Sequence, residues 1–317
     1  MSEDGSEATG EARGERLLAK LGEVIRGKER ALEGIVTALV ANGHVLLEDV
    51  PGVGKTTLAK ALSGLLGCPF GRVQFTPDLL PADITGSAVY NPKEGSFSYR
   101  KGPIFTSILL ADEINRASPR TQAALLEAMS ERQVTIEGRA TPLERPFLVL
   151  ATQNPVDFHG TYPLPEAQLD RFLMRLELGY PGLDAELQML TDQSRGHPLD
   201  AVEALFDPAE VVAMQQEAAE IEVSKSVARY IVTLVAATRK DSRLKLGVSP
   251  RGSLGLRAAC RARAWLRGRN HVLPDDVKSL AVPVLAHRLV LETKARYQGL
   301  TREGVIEELL ERTPVES

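Results

Sequence analysis

The chain has 317 residues, 43% hydrophobic and 25% charged, with a net charge of −4 and a pI near 5.9. That length and composition support one large domain or two ordinary ones with a sizeable core. The acidic balance speaks against non-specific nucleic-acid binding, because phosphate neutralisation needs clustered Lys and Arg.

The first residues, MSEDGSEATGEARGER, are acidic and Gly-rich and lack the basic and apolar regions of a signal peptide. A disordered acidic tail is expected over residues 1–14. Leu32, Ile35, Val36, Leu39 and Val40 fall at helical spacing, which predicts a helix over 28–41 that Gly43 ends. His44–Glu48 then reads as a short buried strand, followed by a glycine-rich turn and a helix from Lys55 to Leu66. Further strands are expected at Arg72–Phe75, Ser107–Ala111, Phe147–Thr152 and Met174–Leu178, and Ser118-Pro119 opens a helix as N-cap and first residue. Alternating strands and helices predict a parallel sheet covered on both faces.

The texture changes at Tyr180-Pro181-Gly182, beyond which no strand pattern is read. Asp207-Pro208-Ala209-Glu210 is a capping-box-like helix start, and Ser249-Pro250 and Leu273-Pro274 open two more helices. The expected organisation is therefore the tail, a core over 15–180 and an all-helical domain over 181–317. No uncharged stretch reaches the roughly 20 apolar residues of a membrane span. The two cysteines, Cys68 and Cys260, form no metal spacing and no disulfide framework, so a reducing, cytoplasmic setting is expected. The five histidines show no ligand spacing.

Three motifs carry chemistry. Asp49-Val50-Pro51-Gly52-Val53-Gly54-Lys55-Thr56-Thr57 is a Walker A loop with Asp49 in place of the usual first glycine. Gly52 and Gly54 let backbone N–H groups turn inward around phosphates, with Val53 and Thr57 in the same cradle. Lys55 is expected to reach the β- and γ-phosphates, and Thr56 to offer its hydroxyl to Mg²⁺. An acidic side chain beside this cradle should point away. The apolar run Ser107–Ala111 ends in Asp112-Glu113, a Walker B signature: Asp112 for Mg²⁺, Glu113 to polarise the attacking water. The run Phe147–Thr152 ends in Gln153-Asn154-Pro155, which puts Asn154 beside the γ-phosphate if the two strands neighbour. No Asn-Lys-x-Asp guanine motif and no G-x-S-x-G elbow occurs.

Together with the runs VQFTPDLLPADITGS, ILLADEINRASPRTQAALLEAMSERQVTIEG and LPEAQLDRFLMRL, these motifs resemble the AAA+ superfamily and, within it, the MoxR family. The resemblance runs from about residue 24 to 290. It implies an α/β fold with a five-stranded parallel core of order 5-1-4-3-2 and a C-terminal helical lid, plus hairpin insertions near Gly86–Pro103 and Gln133–Arg145. It also implies an arginine finger at Arg171, with Arg175 as the competing candidate. Arg251 takes the sensor 2 position, expected to touch the bound nucleotide in cis, and Gly27 and Lys28 line the adenine. ATP and Mg²⁺ follow as cofactors.

An arginine finger acting in trans calls for a homo-oligomer, expected as a hexameric ring. The implied activity is ATP hydrolysis coupled to remodelling or activating a protein client, such as one with a von Willebrand factor A domain. A nucleic-acid motor is the alternative, against which stand the acidic pI and the lack of a DNA-binding module. A nucleotide-gated scaffold without catalysis is the third reading, opposed by the intact Glu113, Asn154 and Arg171.

Overall fold

The computed structural model describes residues 9–315 apart from 94, 137, 155–160 and 194–197. Residues 1–8 of the expected tail and Pro155 of the third motif lie outside the described residues. Residues 10–14, expected in the tail, instead form the start of α1 (Gly10–Val24), capped by Thr9, whose hydroxyl accepts from Ala12 N–H. The reason is packing: Gly14 lies against Leu266, and Arg13 pairs with Glu217 and stacks over Trp265.

In chain order there follow α2 (Glu29–Val40), β1 (Val45–Glu48), α3 (Lys55–Leu65), β2 (Phe70–Gln74), α4 (Pro81–Thr85), β3 (Gly86–Asn91) and β4 (Ser96–Lys101). Then come β5 (Ile108–Asp112), α5 (Pro119–Glu131), β6 (Gln133–Ile136), β7 (Arg139–Pro142), β8 (Leu148–Gln153), α6 (Glu166–Leu169) and β9 (Met174–Leu176). The C-terminal part holds α7 (Leu183–Gln193), α8 (Pro208–Glu220), α9 (Lys225–Lys240), β10 (Leu244–Leu246), α10 (Pro250–Leu266), α11 (Pro274–Leu285), β11 (Val290–Leu291), α12 (Thr293–Tyr297) and α13 (Arg302–Arg312).

Five parallel strands pair in the order β2-β5-β8-β1-β9. Counted along the chain as five core strands, this is the expected 5-1-4-3-2 read from the other edge. The strand period of two sorts their side chains between the faces. Val45, Leu47, Ile108, Leu110, Leu148 and Leu150 join one core, while Leu46, Leu109, Ala111, Val149 and Ala151 join the other. The first core continues from α1–α3 into the C-terminal helices as far as Leu309, so one apolar body spans both halves.

Both expected hairpins are present, as the antiparallel pairs β3–β4 and β6–β7. The C-terminal part is not wholly helical: β10 and β11 pair as a short antiparallel ribbon. Strands of three and two residues carry too little alternation for a period to show. The expected strand Met174–Leu178 ends at Leu176, because Leu178 and Gly179 N–H donate to the Asp49 carboxylate instead. Asp207 and Glu210 make both bonds of the expected capping box. Ser249 stands at the N-cap of α10 without a capping bond; its hydroxyl donates to Asp170 Oδ2 at 2.8 Å.

Candidate functional site

Parallel strands bring their carboxyl ends to one edge, where ligands of open α/β sheets bind. The register puts Gln74 beside Asp112, Leu47 beside Thr152 and Glu48 beside Gln153. The loop from Asp49 to Gly54 leaves β1 at this edge and enters α3.

Gly52 and Gly54 have φ of 86° and 94°, the left-handed region that a side chain disfavours, and Gly54 is the N-cap of α3. A Cβ added at either would meet nothing within 4 Å, so the loop curls around open space. Lys55 Nζ donates to the carbonyls of Asp49 and Val50 at 2.9 and 3.3 Å. Its ammonium is thus held at the loop mouth by neutral acceptors. Asp49 is buried and does point away: its carboxylate accepts from Leu178 N–H at 2.6 Å and Gly179 N–H at 2.8 Å. The loop is thereby tied to the segment joining the two halves of the chain.

That segment forms one wall of a cleft of about 310 Å³, lined by Gly52, Val53, Gly54 and Thr57 on one side and Ile25, Lys28, Tyr180, Pro181 and Met189 on the other. Lys28 Nζ donates to the Tyr180 carbonyl at 2.5 Å, which places the predicted adenine-lining segment at this cleft. The residues fit a nucleoside triphosphate: a glycine cradle with free space, a lysine held by backbone carbonyls, and a helix N-terminus behind it.

At the end of β5, Asp112 Oδ1 accepts from Thr152 Oγ1 at 2.7 Å, and Oδ2 pairs with Arg72 at 2.7 Å. Thr152 Oγ1 also accepts from Glu113 N–H at 2.8 Å. Glu113 sits at φ 56°, ψ 50°, an uncommon conformation for a residue with a side chain. Its Oε2 accepts from Gln74 Nε2 at 3.1 Å and pairs with Arg116 at 2.9 Å. Thr56, in the first turn of α3, and Asp112 offer hydroxyl and carboxylate oxygens of the hard type that suit Mg²⁺ alongside substrate phosphates. Asn154 follows β8 directly, part-buried, two residues beyond Thr152.

Three predicted arginines lie elsewhere. Arg171 follows α6 and donates to the Leu126 carbonyl at 2.6 Å and to Ser130 Oγ at 2.9 Å, both on α5. Arg175, on β9, is half-buried in a bridge between Glu48 at 3.1 Å and Glu303 at 2.5 Å. Arg251 is exposed in the first turn of α10, outside the residues that line the cleft.

Sequence reading missed Arg72, Gln74, Arg116 and Thr152. Gln74 ends β2 and Thr152 is the last residue but one of β8, and both could be suspected once strand order is known. Arg72 and Arg116 gave no signal.

A family model described as "ATPase family associated with various cellular activities (AAA)" matches residues 44–174, and an "AAA lid domain" model matches residues 236–309. The chain is 48% identical to the uncharacterised protein YeaC of Bacillus subtilis, over 93% of this chain and 92% of that one. It is 41% identical to Chaperone MoxR1 of Mycobacterium tuberculosis, covering 94% of this chain and 81% of that protein. Protein MoxR of Paracoccus denitrificans is 33% identical, covering 86% and 87%. The crystal structure of a Cytophaga hutchinsonii protein provisionally assigned as an ATPase superposes with a TM-score of 0.89 at 38% identity, covering 96% of this chain and 94% of that one.

Proposed function

Because the chain belongs to the MoxR family of AAA+ ATPases, we propose that it binds ATP with Mg²⁺, hydrolyses it, and uses the cycle to remodel, assemble or activate a protein partner. The observation that carries the hydrolytic reading is the placing of Glu113. A left-handed backbone and the Thr152 hydroxyl hold it one residue past Asp112, on the sheet edge from which the Gly52–Thr57 loop springs.

Glu113 is the base that orients and polarises water. Lys55 and the amides of the Gly52–Thr57 loop bind the phosphates, and Asn154 acts at the γ-phosphate. Thr56 and Asp112 would hold Mg²⁺, which supplies charge neutralisation to the phosphates when bound.

Arg171 is the candidate finger for a neighbouring copy's site, since Arg175 is committed to Glu48 and Glu303 within its own chain. A planar cationic fork suits that charge. A hexameric ring in the cytoplasm, with a client such as a von Willebrand factor A domain protein, completes the reading. The word "chaperone" in the Mycobacterium relative's name supports a protein client. Arg251 would reach nucleotide only through a change in lid position.

The test is Glu113→Gln. Phosphate release should fall roughly a hundredfold or more, as for loss of a positioned base, while ATP binding persists. Release persisting in clean variant protein would refute the assignment. The same variant, holding ATP, should retain a protein from native lysate only when ATP is present. Salt-sensitive nucleic acid in its place would shift the reading to a motor.

A further inference from the structure

Helix α7 turns two faces in opposite directions. Ala185 lies against Gly27, where an added Cβ would stand 3.1 Å from its own, and Met189 lines the nucleotide cleft. On the other side Leu183, Leu187 and Leu190, at i, i+4 and i+7, are 88%, 66% and 69% exposed, and nearby Tyr180 is 75% exposed. A contiguous apolar stripe of this kind marks an interaction surface. The helix carries Asp184 and Glu186 and no Lys or Arg. Its partner surface should therefore be apolar at the centre and basic at the rim.

The chain itself presents such a surface. A groove of about 550 Å³ beside α6 and β10 holds Leu246, 51% exposed, flanked by Arg239 and Lys245. Its Asp170 is taken by Arg288 and by Ser249, each at 2.8 Å, and Arg239 Nε donates to the Val248 carbonyl at 2.8 Å. Among the described residues, none of α7 lines this groove. The groove reaches Asp170, the residue before Arg171. A copy that offers Arg171 to its neighbour therefore offers this groove from the adjoining residue of the same segment.

We propose that the Leu183–Leu187–Leu190 stripe docks into the Leu246 groove of a second copy of this chain, forming the head-to-tail contact that seats each Arg171. This rests on the reading of Arg171 as acting in trans. Stripe and groove are different surfaces, as a ring-forming contact requires. Apolar residues supply the affinity, and Asp184 against Arg239 and Lys245 supplies orientation.

The experiment is sedimentation velocity over a concentration series with ATP, on full-length chains carrying Glu113→Gln so that nucleotide is retained. The parent is compared with Leu187→Asp and Lys245→Glu, both at exposed positions. Each variant should need roughly tenfold or more higher concentration to assemble, as for loss of a central anchor or its partner, with fluorescent-ATP binding unchanged. Parent-like assembly of both variants would overturn the docking while leaving the trans reading intact. A defect in Leu187→Asp alone would overturn the groove as the seat. A parent that stays monomeric throughout would overturn both the docking and the trans reading.

Discussion

Asp49 occupies the position where the phosphate loop ordinarily has glycine, yet it leaves the cradle open. Burial alone would make a carboxylate costly, and two backbone N–H groups answer that cost. The same two bonds fix the chain at Leu178 and Gly179, just before the Tyr180 carbonyl that Lys28 holds. Asp49→Asn keeps the size but presents an amide to two donors, and only its oxygen can accept. It should destabilise the protein by about 2 kcal/mol, the range for a hydrogen bond to a charged group, and weaken ATP binding through the displaced cleft wall. Denaturant unfolding together with fluorescent-nucleotide titration checks this. Weaker stability with unchanged affinity would show that the loop does not depend on the tie.

At the scale of elements, His44 joins three of them. It precedes β1, its Nδ1 accepts from Val149 N–H of β8 at 3.0 Å, and its Nε2 lies 3.1 Å from the Met129 carbonyl of α5. An amide can only donate and a carbonyl only accept, so the neutral Nε2–H tautomer is fixed. Burial lowers its pKa from 6.5 to about 4, against the raising effect of the Met129 bond. The unfolded chain therefore takes up a proton near 6.5 that the folded chain refuses until about 4. Stability is full above pH 6.5 and falls as the pH drops through that window. Urea midpoints between pH 7 and 5 should decline. His44→Asn, which keeps an acceptor for Val149, should flatten the slope. An unchanged slope would assign it to other groups, including His287, buried against the Phe172 carbonyl and shifted the same way by burial.

At the scale of the molecule, one apolar core runs from α1 through the sheet to α13, and a buried arginine closes the joint beside Arg171. Arg288 is 5% exposed and bonds Asp170 and the carbonyls of Phe172, Leu173 and Val284. Arg171 is thus carried by a segment clamped from both halves. Arg171→Ala should leave ATP binding intact. Turnover should fall toward the roughly thousandfold loss that follows withdrawal of an arginine finger, and its rise with protein concentration should disappear. Steady-state rates over a dilution series read both. Wild-type specific activity that stays flat on dilution would remove the trans site.

Sequence alone was enough for the strand–loop–helix of the phosphate site, the acidic pair at Asp112-Glu113, a strand read at Phe147–Thr152 that runs from Leu148 to Gln153, and the helix starts at Ser118, Asp207 and Leu273. Each is a local signal: a run of apolar residues, a glycine pair, a cap and its proline. The resemblance supplied strand order and hairpins, which local periodicity does not encode. Only the tertiary structure decided that Gly10–Gly14 are helical, because Trp265 and Leu266 lie more than 250 positions along the chain. It also decided the partners of Asp112 and Glu113, since Arg72, Gln74 and Thr152 meet them through parallel register across three strands. The exposure of Leu183, Leu187 and Leu190 was likewise beyond the sequence: an amphipathic pattern names two faces of a helix, and the rest of the fold determines which one meets water.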